Sequence, residues 1–510
     1  MIIDGGGGPA MSGNVAIQGD TIAYVGRAPV VARRVIDAKG AVVAPGFIDM
    51  HGHSEYSLGV DGRGLSKITQ GVTTEVLGEH LSAGPVLGPA VDDSMMVAPP
   101  IRRTWTTLGG FFDYLQHKKI GMNVLSFVGA GQVRASVVGY QDRPVTRAEI
   151  EQEKKLVADA MAQGAFGLSA GFDYVPNSFQ GVDEIVALAK VAAEQGGIYA
   201  SHMRWTIAGL DDTIRIAREA RIPVEIFHIN STMNMDADGY IAKVEAARDE
   251  GLDITANAYP YTAGWTYLKG HLPEWAREGT PAEVAARLKQ PTKRARVLAE
   301  LHDKPHADWD AIFVSSRNPD FDGKSVAEIG RIRNTSGDEA LVDAIIDSEA
   351  TAFYVGRPNP AREALVARVI SRPWVDIGSD GLALPAGVHT AFGKPHPRSY
   401  GAHARVLAEY VRKQRLFSLS EAVRKMTSQP ANRLGIADRG LVRQGFKADL
   451  VVFDPDTVQD NATIEQPERY ASGVSWVFVN GVAVVADNLP TDALPGRVLR
   501  GPGYKPGTGE

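Results

Sequence analysis

The sequence contains no cysteine among its 510 residues. This absence excludes disulfide bonds, thiolate nucleophiles and Cys-ligated metals, so any metal ion must be bound by His, Asp or Glu. No segment approaches about 18 consecutive apolar residues, and the N-terminus lacks the basic and apolar regions of a secretory signal. We therefore expect a cytoplasmic protein that does not enter a membrane.

An excess of charge of one sign is also missing. Lys and Arg number 54 against 60 Asp and Glu, a formal net charge of −6, which argues against nucleic acid or an anionic membrane as a partner. The composition, 44% hydrophobic and 22% charged, is that of a globular enzyme longer than one typical domain. We expect a small-molecule substrate, and the sequence leaves open whether the chain forms a homo-oligomer.

Short apolar runs alternate with helical patterns from about residue 42 to residue 430, which is typical of repeated βα units. Eight such runs are predicted strands: 42–49, 72–78, 123–129, 165–171, 198–202, 224–229, 253–259 and 374–379. Thr146-Arg-Ala-Glu149 predicts a capped helix that ends at Gly164, and Ser418-Leu-Ser-Glu421 opens another. Eight strands of this kind favour an α/β fold with a (β/α)8 TIM-like barrel.

The rest of the chain predicts additions to that barrel. More than a hundred residues separate the seventh and eighth predicted strands, which indicates an inserted subdomain or lid at about 267–349. Residues 14–25, 448–453 and 475–485 look like strands, the last with an Asn480-Gly481 turn. We expect a small β-sandwich domain built from residues 1–44 and 431–510, a barrel over residues 45–430, and a loose tail after Pro495.

Five side chains that bind metals occur where predicted strands end. Pro45-Gly-Phe-Ile-Asp49-Met-His51-Gly-His53 follows the first strand, and residues two apart in a strand point to the same side. His202 ends the fifth predicted strand, His228 ends the sixth and Asp380 follows the eighth. Active sites of TIM barrels lie at this carboxyl end of the strands, whereas histidines of an ordinary core would have no reason to share it. The pattern predicts a metal-dependent active site.

Further motifs follow in order along the chain: Gly71-Val-Thr-Thr74, Gly164-Ala-Phe-Gly-Leu-Ser-Ala-Gly171, Ser201-His-Met-Arg204, Tyr259-Pro-Tyr-Thr262, His396-Pro-Arg398-Ser-Tyr-Gly401 and Ala448-Asp-Leu-Val-Val-Phe-Asp454. With the histidines, they resemble the amidohydrolase superfamily and, within it, the D-aminoacylases or N-acyl-D-amino-acid deacylases. The resemblance covers nearly the whole chain. It implies a metal-dependent hydrolase of class EC 3.5.1 that cleaves the amide bond of an N-acyl-D-amino acid or a related compound.

The resemblance also implies what each site residue does. His202 and His228 would hold the catalytic Zn²⁺, His51 and His53 a second metal position, and Asp380 would act as the general base. Zinc lowers the pKa of bound water from 15.7 to roughly 7 and polarises a carbonyl, and a carboxylate passes the proton to the leaving nitrogen. Mn²⁺ or another divalent ion would suit the same ligands.

One departure from the family concerns a metal ligand. D-aminoacylases carry a cysteine in a Gly-Asn-Cys segment after the second strand, where this chain has Gly78-Glu79-His80. We expect Glu79 to replace the cysteine, because a carboxylate bridges two cations and would favour a binuclear centre. His80 is the alternative ligand.

The resemblance implies substrate contacts as well. Arg398 would bind the substrate carboxylate through its guanidinium fork, with a surface salt bridge as the alternative interpretation. Tyr259 or Tyr261 would donate a hydrogen bond to the developing oxyanion, and Tyr174 would line the pocket, although each could equally serve packing.

Two further departures affect specificity. The family has His-Leu-Lys where this chain has His228-Ile-Asn230, so a positive charge near the substrate carboxylate is lost. The segment between Asp380 and His396 is longer and adds residues 388–390 near the pocket. Relatives usually carry another short strand before the first residues of this chain, so we expect either upstream residues or a β-domain without that edge strand.

Two other functions fit the same scaffold. A D-dipeptidase or a cyclic-amide hydrolase of the hydantoinase type is one, although hydantoinases use a carboxylated lysine in the fourth strand and residues 164–171 contain no lysine. A non-catalytic amidohydrolase-like scaffold is the other, because fold alone does not determine function. The presence of every expected histidine and of Asp380 argues against a scaffold.

Overall fold

A computed structural model describes residues 1–90, 101–233, 235–303, 308–387 and 393–507. The fold is α/β, and each predicted strand position contains a parallel strand, labelled β1 to β8 in chain order. They are β1 Phe47–Asp49, β2 Val72–Leu77, β3 Asn123–Ser126 with Val128–Gly129, β4 Gly167–Gly171, β5 Ile198–His202, β6 Val224–Ile226, β7 Ile254–Ala258 and β8 Val375–Ile377. β1, β2 and the first part of β3 form one sheet, and the second part of β3 continues into a sheet with β4 to β8 in chain order.

Backbone hydrogen bonds connect the two sheets at both ends. Phe127 interrupts β3, and its N–H donates to the carbonyl of Leu77 over 2.9 Å. At the other end, the Met50 N–H donates to the Ile377 carbonyl over 3.3 Å, and the Asp380 N–H donates to the His51 carbonyl over 2.7 Å. These bonds bring the segments after β1 and β8 together.

The single strand predicted at 42–49 is wrong, because the chain changes sheets within it. Val42–Pro45 pairs antiparallel with Leu450–Phe453, and only Phe47–Asp49 joins the parallel strands. Gly46 lies at the change, where a Cβ atom would come within 2.2 Å of the Thr73 side chain. A residue without a side chain is therefore required there.

Both predicted helix starts are confirmed. Thr146 and Glu149 form a reciprocal capping box on the helix Arg147–Ala162, and Gly164 follows with φ +109°. The Ser418 side chain accepts a hydrogen bond from the Glu421 N–H at the start of Leu419–Lys425.

The other helices between and after the parallel strands cover the strands with apolar faces, so that helices and strands share one hydrophobic core. They are Ser57–Val60, Leu65–Ile68, Leu108–Lys118, Ala130–Val137, Val182–Glu194, Ile207–Ala220, Ile229–Thr232, Ala237–Asp249, Glu363–Ile370, Arg398–Arg405 and Ser428–Arg433, with a π-helix at Val406–Lys413 and 3₁₀ turns at Asn177–Phe179 and Pro360–Arg362. Within the described ranges, no helix combines the length and apolar composition needed to cross a bilayer.

Strands from both ends of the chain form further sheets. A hairpin joins Asn14–Gln18 to Thr21–Gly26, and a five-stranded antiparallel sheet contains Val42–Pro45, Leu450–Phe453, Val474–Val479, Val482–Ala486 and Leu489–Pro490. Asn480 and Gly481 have φ values of +48° and +79°, as a two-residue hairpin turn requires. The predicted terminal strands and their turn are confirmed.

The loose tail predicted after Pro495 is wrong as far as Lys505. Val498 forms a parallel bridge with Val124 and is only 8% exposed. The Gly501 N–H donates to the Gly164 carbonyl over 2.9 Å, and the Lys505 N–H donates to the Ala162 carbonyl over 2.8 Å. The segment is ordered because its backbone satisfies polar groups at the edges of neighbouring elements.

The long segment between β7 and β8 has its own structure. Trp265–Tyr267, Phe353–Gly356 and Ile312–Ser315 form an antiparallel sheet. The segment also contains the helices Glu274–Arg277, Pro281–Leu288, Pro291–His302, Val326–Arg333 and Gly337–Asp347 and the 3₁₀ turns Leu268–His271 and Trp309–Ala311. Buried apolar residues from Leu268 to Ala352 form a hydrophobic cluster of their own. The added residues 388–390 lie outside the described part of the chain.

Candidate active site

The predicted metal-binding side chains lie together at the carboxyl ends of the parallel strands. His51 and His53 follow β1, and His202 is the last residue of β5. His228 and Asp380 follow the shorter β6 and β8, and both have positive φ, +31° and +52°. This backbone conformation is uncommon for residues other than glycine and turns the chain sharply where each strand ends.

Glu79 joins these residues through a turn at Gly78. Gly78 has φ +83°, and a Cβ atom there would lie 2.4 Å from the Phe127 carbonyl oxygen, so no other residue fits. The Glu79 carboxylate lies among the imidazoles: its oxygens are 2.9 Å from His202 Nδ1, 3.6 Å from His228 Nε2, 3.8 Å from His51 Nε2, 3.6 Å from His53 Nε2 and 3.2 Å from His80 Nδ1.

Three sets of side chains have ligand atoms within 4.8 Å of one another, close enough to hold an ion. The sets are Glu79, His202 and His228; His51, His53 and Glu79; and His51, His228 and Asp380. Glu79 belongs to two sets, whereas His80 belongs to none of those found in the described ranges. The geometry therefore favours Glu79 over His80 as the shared ligand.

His51 shows that these sets suit a cation. It is 1% exposed, yet neither ring nitrogen has a hydrogen-bond partner among the described residues. A buried polar nitrogen without a partner is costly, and an ion coordinated there would remove that cost. Burial lowers the pKa of His51 to about 3, so its ring is neutral at pH 7, the form that binds metals. Imidazole and carboxylate ligands suit Zn²⁺.

Two other imidazoles are held in the charged form. Burial opposes the charge of His53, but its hydrogen bond with Asp380 and the charge of Glu79 raise its pKa to about 9. Burial likewise opposes the charge of His202, but its hydrogen bonds with Asp173 and Glu79 raise its pKa to about 10. Without an ion, protons on these two rings balance the carboxylates of the site.

Asp380 is held as a carboxylate. Burial alone would raise its pKa, but the charge of Arg398 and the hydrogen bond with His53 hold the pKa well below its usual range. Its oxygens lie 2.7 Å from Arg398 Nη1 and 2.9 Å from His53 Nε2. A proton acceptor is thus positioned within one of the metal-binding sets, next to the other two.

Asp173 is a residue of this site that the sequence interpretation missed. Its carboxylate lies 3.1 Å from His202 Nε2, on the ring edge opposite the nitrogen that faces Glu79. A carboxylate on the second nitrogen of a metal-binding histidine fixes the orientation of its ring. The signal was available, because Asp173 follows β4 as His202 ends β5.

The sequence interpretation also missed a network of buried polar residues around Lys67. Lys67 is fully buried, and its Nζ lies 2.7 Å from Asp49, 3.0 Å from Glu75 and 2.5 Å from the Ser379 hydroxyl. Asp49 also accepts the Ser379 N–H over 2.7 Å. The network connects β1, which leads to His51, to the segment after β8. No sequence motif indicated these contacts.

The predicted substrate-binding residues have partners within the protein. Arg398 is buried, its Nη1 bonds Asp380, and its Nη2 donates to the Trp265 carbonyl over 3.3 Å. The Tyr174 hydroxyl is 3.0 Å from the Thr266 hydroxyl. The two alternative tyrosines differ in their contacts. The Tyr259 ring is 6.2 Å from the His228 ring, whereas the Tyr261 hydroxyl donates to Asp460 over 2.8 Å.

Two cavities meet at the site. The first, the aromatic cavity, has a volume of about 140 Å³, and its lining includes Tyr56, Tyr174, Trp265, Tyr267 and Phe353 beside His53 and Asp380. The second, the arginine cavity, has a volume of about 290 Å³, and its lining includes Arg357, Arg362 and Arg398 beside His202 and His228. Both open between the strand ends and the segment that joins β7 to β8.

Comparison with known proteins shows the family to which the chain belongs. The profile of the amidohydrolase family matches residues 34–485. The chain belongs to the amidohydrolase family. A D-aminoacylase of Alcaligenes xylosoxydans xylosoxydans is 34% identical to this amidohydrolase, over 98% of this chain and 96% of its own.

Solved structures agree with that relationship. The crystal structure of a D-aminoacylase matches with a TM-score of 0.81 at 32% identity, and the match covers 98% of each chain. The N-acyl-D-glutamate deacylase from Bordetella bronchiseptica, determined with zinc and a phosphonate inhibitor, matches with a TM-score of 0.81 at 29% identity and the same coverage. Within its family, this amidohydrolase groups with the D-aminoacylases.

Proposed function

We propose that this amidohydrolase cleaves the amide bond of N-acyl-D-amino acids, releasing a carboxylic acid and a D-amino acid. The observation that carries the proposal is the position of Glu79, which is shared by two sets of imidazoles next to the ionised Asp380. The relatives support the substrate class, since a D-aminoacylase and an N-acyl-D-glutamate deacylase match over nearly the whole chain.

Two divalent ions, Zn²⁺ or a similar metal, fit the residues. We assign Glu79, His202 and His228 to one position and His51, His53 and Glu79 to the other. When bound, such an ion polarises the scissile carbonyl and makes water more acidic. The second position is the one that faces Asp380, which is 2.9 Å from His53.

The protein groups supply proton transfer and orientation. Asp380 accepts the proton of the attacking water and passes it to the leaving nitrogen. Arg398 keeps that carboxylate ionised and in place through their 2.7 Å contact. Tyr174 and Tyr259 line the cavities at the cluster, where a hydroxyl would donate to the developing oxyanion, whereas Tyr261 is bonded to Asp460.

Our proposal also includes the architecture of the chain. We propose that β1 to β8 form one closed (β/α)8 barrel, which the backbone bonds at Phe127 and at Met50 support. We propose a barrel over residues 45–430, a small β-domain from residues 1–44 and 431–510, and an inserted subdomain at about 267–349. The separate hydrophobic cluster from Leu268 to Ala352 supports the insertion.

The aromatic cavity supports a substrate with an apolar side chain or acyl group. Its lining contains three carboxylates, of Glu55, Glu79 and Asp380, and a single arginine, Arg398, which is already paired with Asp380. An apolar side chain in this cavity would be covered by five aromatic rings, whereas an acidic one would find no arginine that is not already paired.

The first prediction tests the function directly. Purified protein with added Zn²⁺ or Mn²⁺ should hydrolyse N-acetyl-D-leucine and other apolar N-acyl-D-amino acids, and their L-enantiomers much more slowly. Released acetate is measured for matched D and L pairs, with N-acetyl-D-glutamate as the acidic comparison. Removal of metal by a chelator should abolish turnover, and added Zn²⁺ should restore it. Equal turnover of L-substrates would contradict the stereochemical part of the proposal.

The second prediction concerns protons that compete with the metal. His53 and His202 have pKa values raised to about 9 and about 10, so both rings are protonated at pH 7 in the metal-free protein. Metals bind the neutral ring, so ion binding at pH 7 should release about two protons per chain. Metal affinity should therefore increase as the pH rises from 7 towards 9.

Calorimetry of Zn²⁺ binding in buffers of different ionisation enthalpy measures the number of protons released. The His202→Asn variant removes one charged ring together with one assigned metal ligand, so it should weaken binding at that position and lower the number of protons released by about one. Binding without proton release at pH 7 would contradict the proposed protonation of both rings.

A further inference from the structure

The charges around the metal-binding sets are distributed unevenly. The lining of the arginine cavity contains three guanidinium groups and one carboxylate, Asp380. The aromatic cavity has three carboxylates and one guanidinium. An anionic group of a ligand is therefore favoured on the side of His202 and His228, away from the aromatic rings.

The three arginines of the arginine cavity are not equivalent. Arg398 has both terminal nitrogens engaged, by Asp380 and by the Trp265 carbonyl, so its charge is already compensated. Arg357 is exposed and donates to the Asp310 carbonyl over 2.7 Å. Arg362 is half-buried, and within the described ranges no carboxylate oxygen lies within 4.0 Å of its nitrogens.

Backbone contacts fix the position of Arg362. Its Nη2 donates to the Asn230 carbonyl over 2.7 Å and to the Ser231 carbonyl over 3.3 Å. The Ser231 hydroxyl in turn lies 2.9 Å from His228 Nδ1. Two backbone carbonyls thus hold the guanidinium close to His228, a side chain that we assign to the metal. The Nη1 and Nε atoms of Arg362 make no hydrogen bond among the described residues.

We propose that Arg362 binds the free carboxylate of the substrate. The inference rests on the proposed function, since an N-acyl-amino acid carries one carboxylate. With Nη2 held by the two carbonyls, the Nη1 group still donates to a carboxylate, and the positive charge of the guanidinium strengthens that hydrogen bond. The amide bond then lies between Arg362 and Asp380, with the apolar part of the substrate towards the aromatic cavity.

The test compares a substrate that carries the carboxylate with one that lacks it. Acetate release is measured from N-acetyl-D-leucine and from its neutral analogue N-acetyl-D-leucinamide, for the wild type and for Arg362→Gln. We expect kcat/KM for the acid to fall by about 10- to 100-fold, mainly through KM, and kcat/KM for the amide to change little. Arg362→Lys should recover part of the loss, because it restores the charge without the second nitrogen that binds the Asn230 and Ser231 carbonyls.

Arg357→Gln is the matched control, because it removes an exposed arginine of the same cavity, and it should change the ratio of the two substrates much less than Arg362→Gln does. Equilibrium dialysis of N-acetyl-D-leucine against metal-depleted protein adds a readout that needs no turnover, and Arg362→Gln should weaken that binding. An unchanged ratio, or equal losses on both substrates, overturns the proposal. Failure of the proposed function is seen separately, as a wild type that hydrolyses neither compound.

Discussion

The Asp380→Asn variant is expected to lose turnover by about 10²- to 10⁴-fold while it keeps its bound metal. Asn has nearly the same shape but cannot accept the proton of the attacking water. The Glu79, His202 and His228 set does not include Asp380, so its affinity for an ion should survive. Steady-state hydrolysis of N-acetyl-D-leucine and metal analysis of the same sample measure both quantities.

The control for Asp380 is Asp173→Asn, which changes an acid that contacts His202 without facing the proposed water position. That variant should lose about 10- to 100-fold in metal affinity and recover turnover with excess Zn²⁺. Because Asp380→Asn leaves Arg398 buried without its partner, thermal unfolding is measured in parallel. Near-normal turnover by folded, metal-loaded Asp380→Asn would refute the assignment of the base.

The sequence predicted the members of the cluster because they obey one positional rule. His51, His53, His202, His228 and Asp380 follow the ends of apolar runs, and parallel strands bring such ends to one side. The exact strand bounds did not matter: β6 ends at Ile226 and β8 at Ile377, yet His228 and Asp380 still reach the cluster.

Contacts that depend on three-dimensional packing could not be predicted. Lys67 lies on a short helix with no motif, and only the fold places it against Asp49 and Glu75. The split at Gly46 depends on Leu450–Phe453, some four hundred residues away in the chain, which pairs with the residues before it. The pairing of Arg398 with Asp380 could not be predicted either, because it needs the start of the helix Arg398–Arg405 to pack against the segment after β8.

Glu79 is the position where a substitution should have the largest effect on metal content. Glu79→Gln keeps the size of the side chain but removes the anion shared by the two metal-binding sets. Both positions should lose affinity, and turnover should fall by about 10³-fold or more, because water without a bound ion keeps its pKa of 15.7. Metal analysis after dialysis at a fixed free Zn²⁺ concentration measures the loss.

Two matched variants identify the cause of that loss. Glu79→Cys supplies the thiolate that the related deacylases carry at this point, so it should retain zinc and measurable turnover. His80→Ala removes the neighbouring imidazole, which lies 3.2 Å from Glu79 but belongs to none of the metal-binding sets in the described ranges, and should retain both ions. If His80→Ala lost the metal and Glu79→Gln kept it, the ligand assignment would be reversed, and the centre would have no carboxylate that joins its two halves.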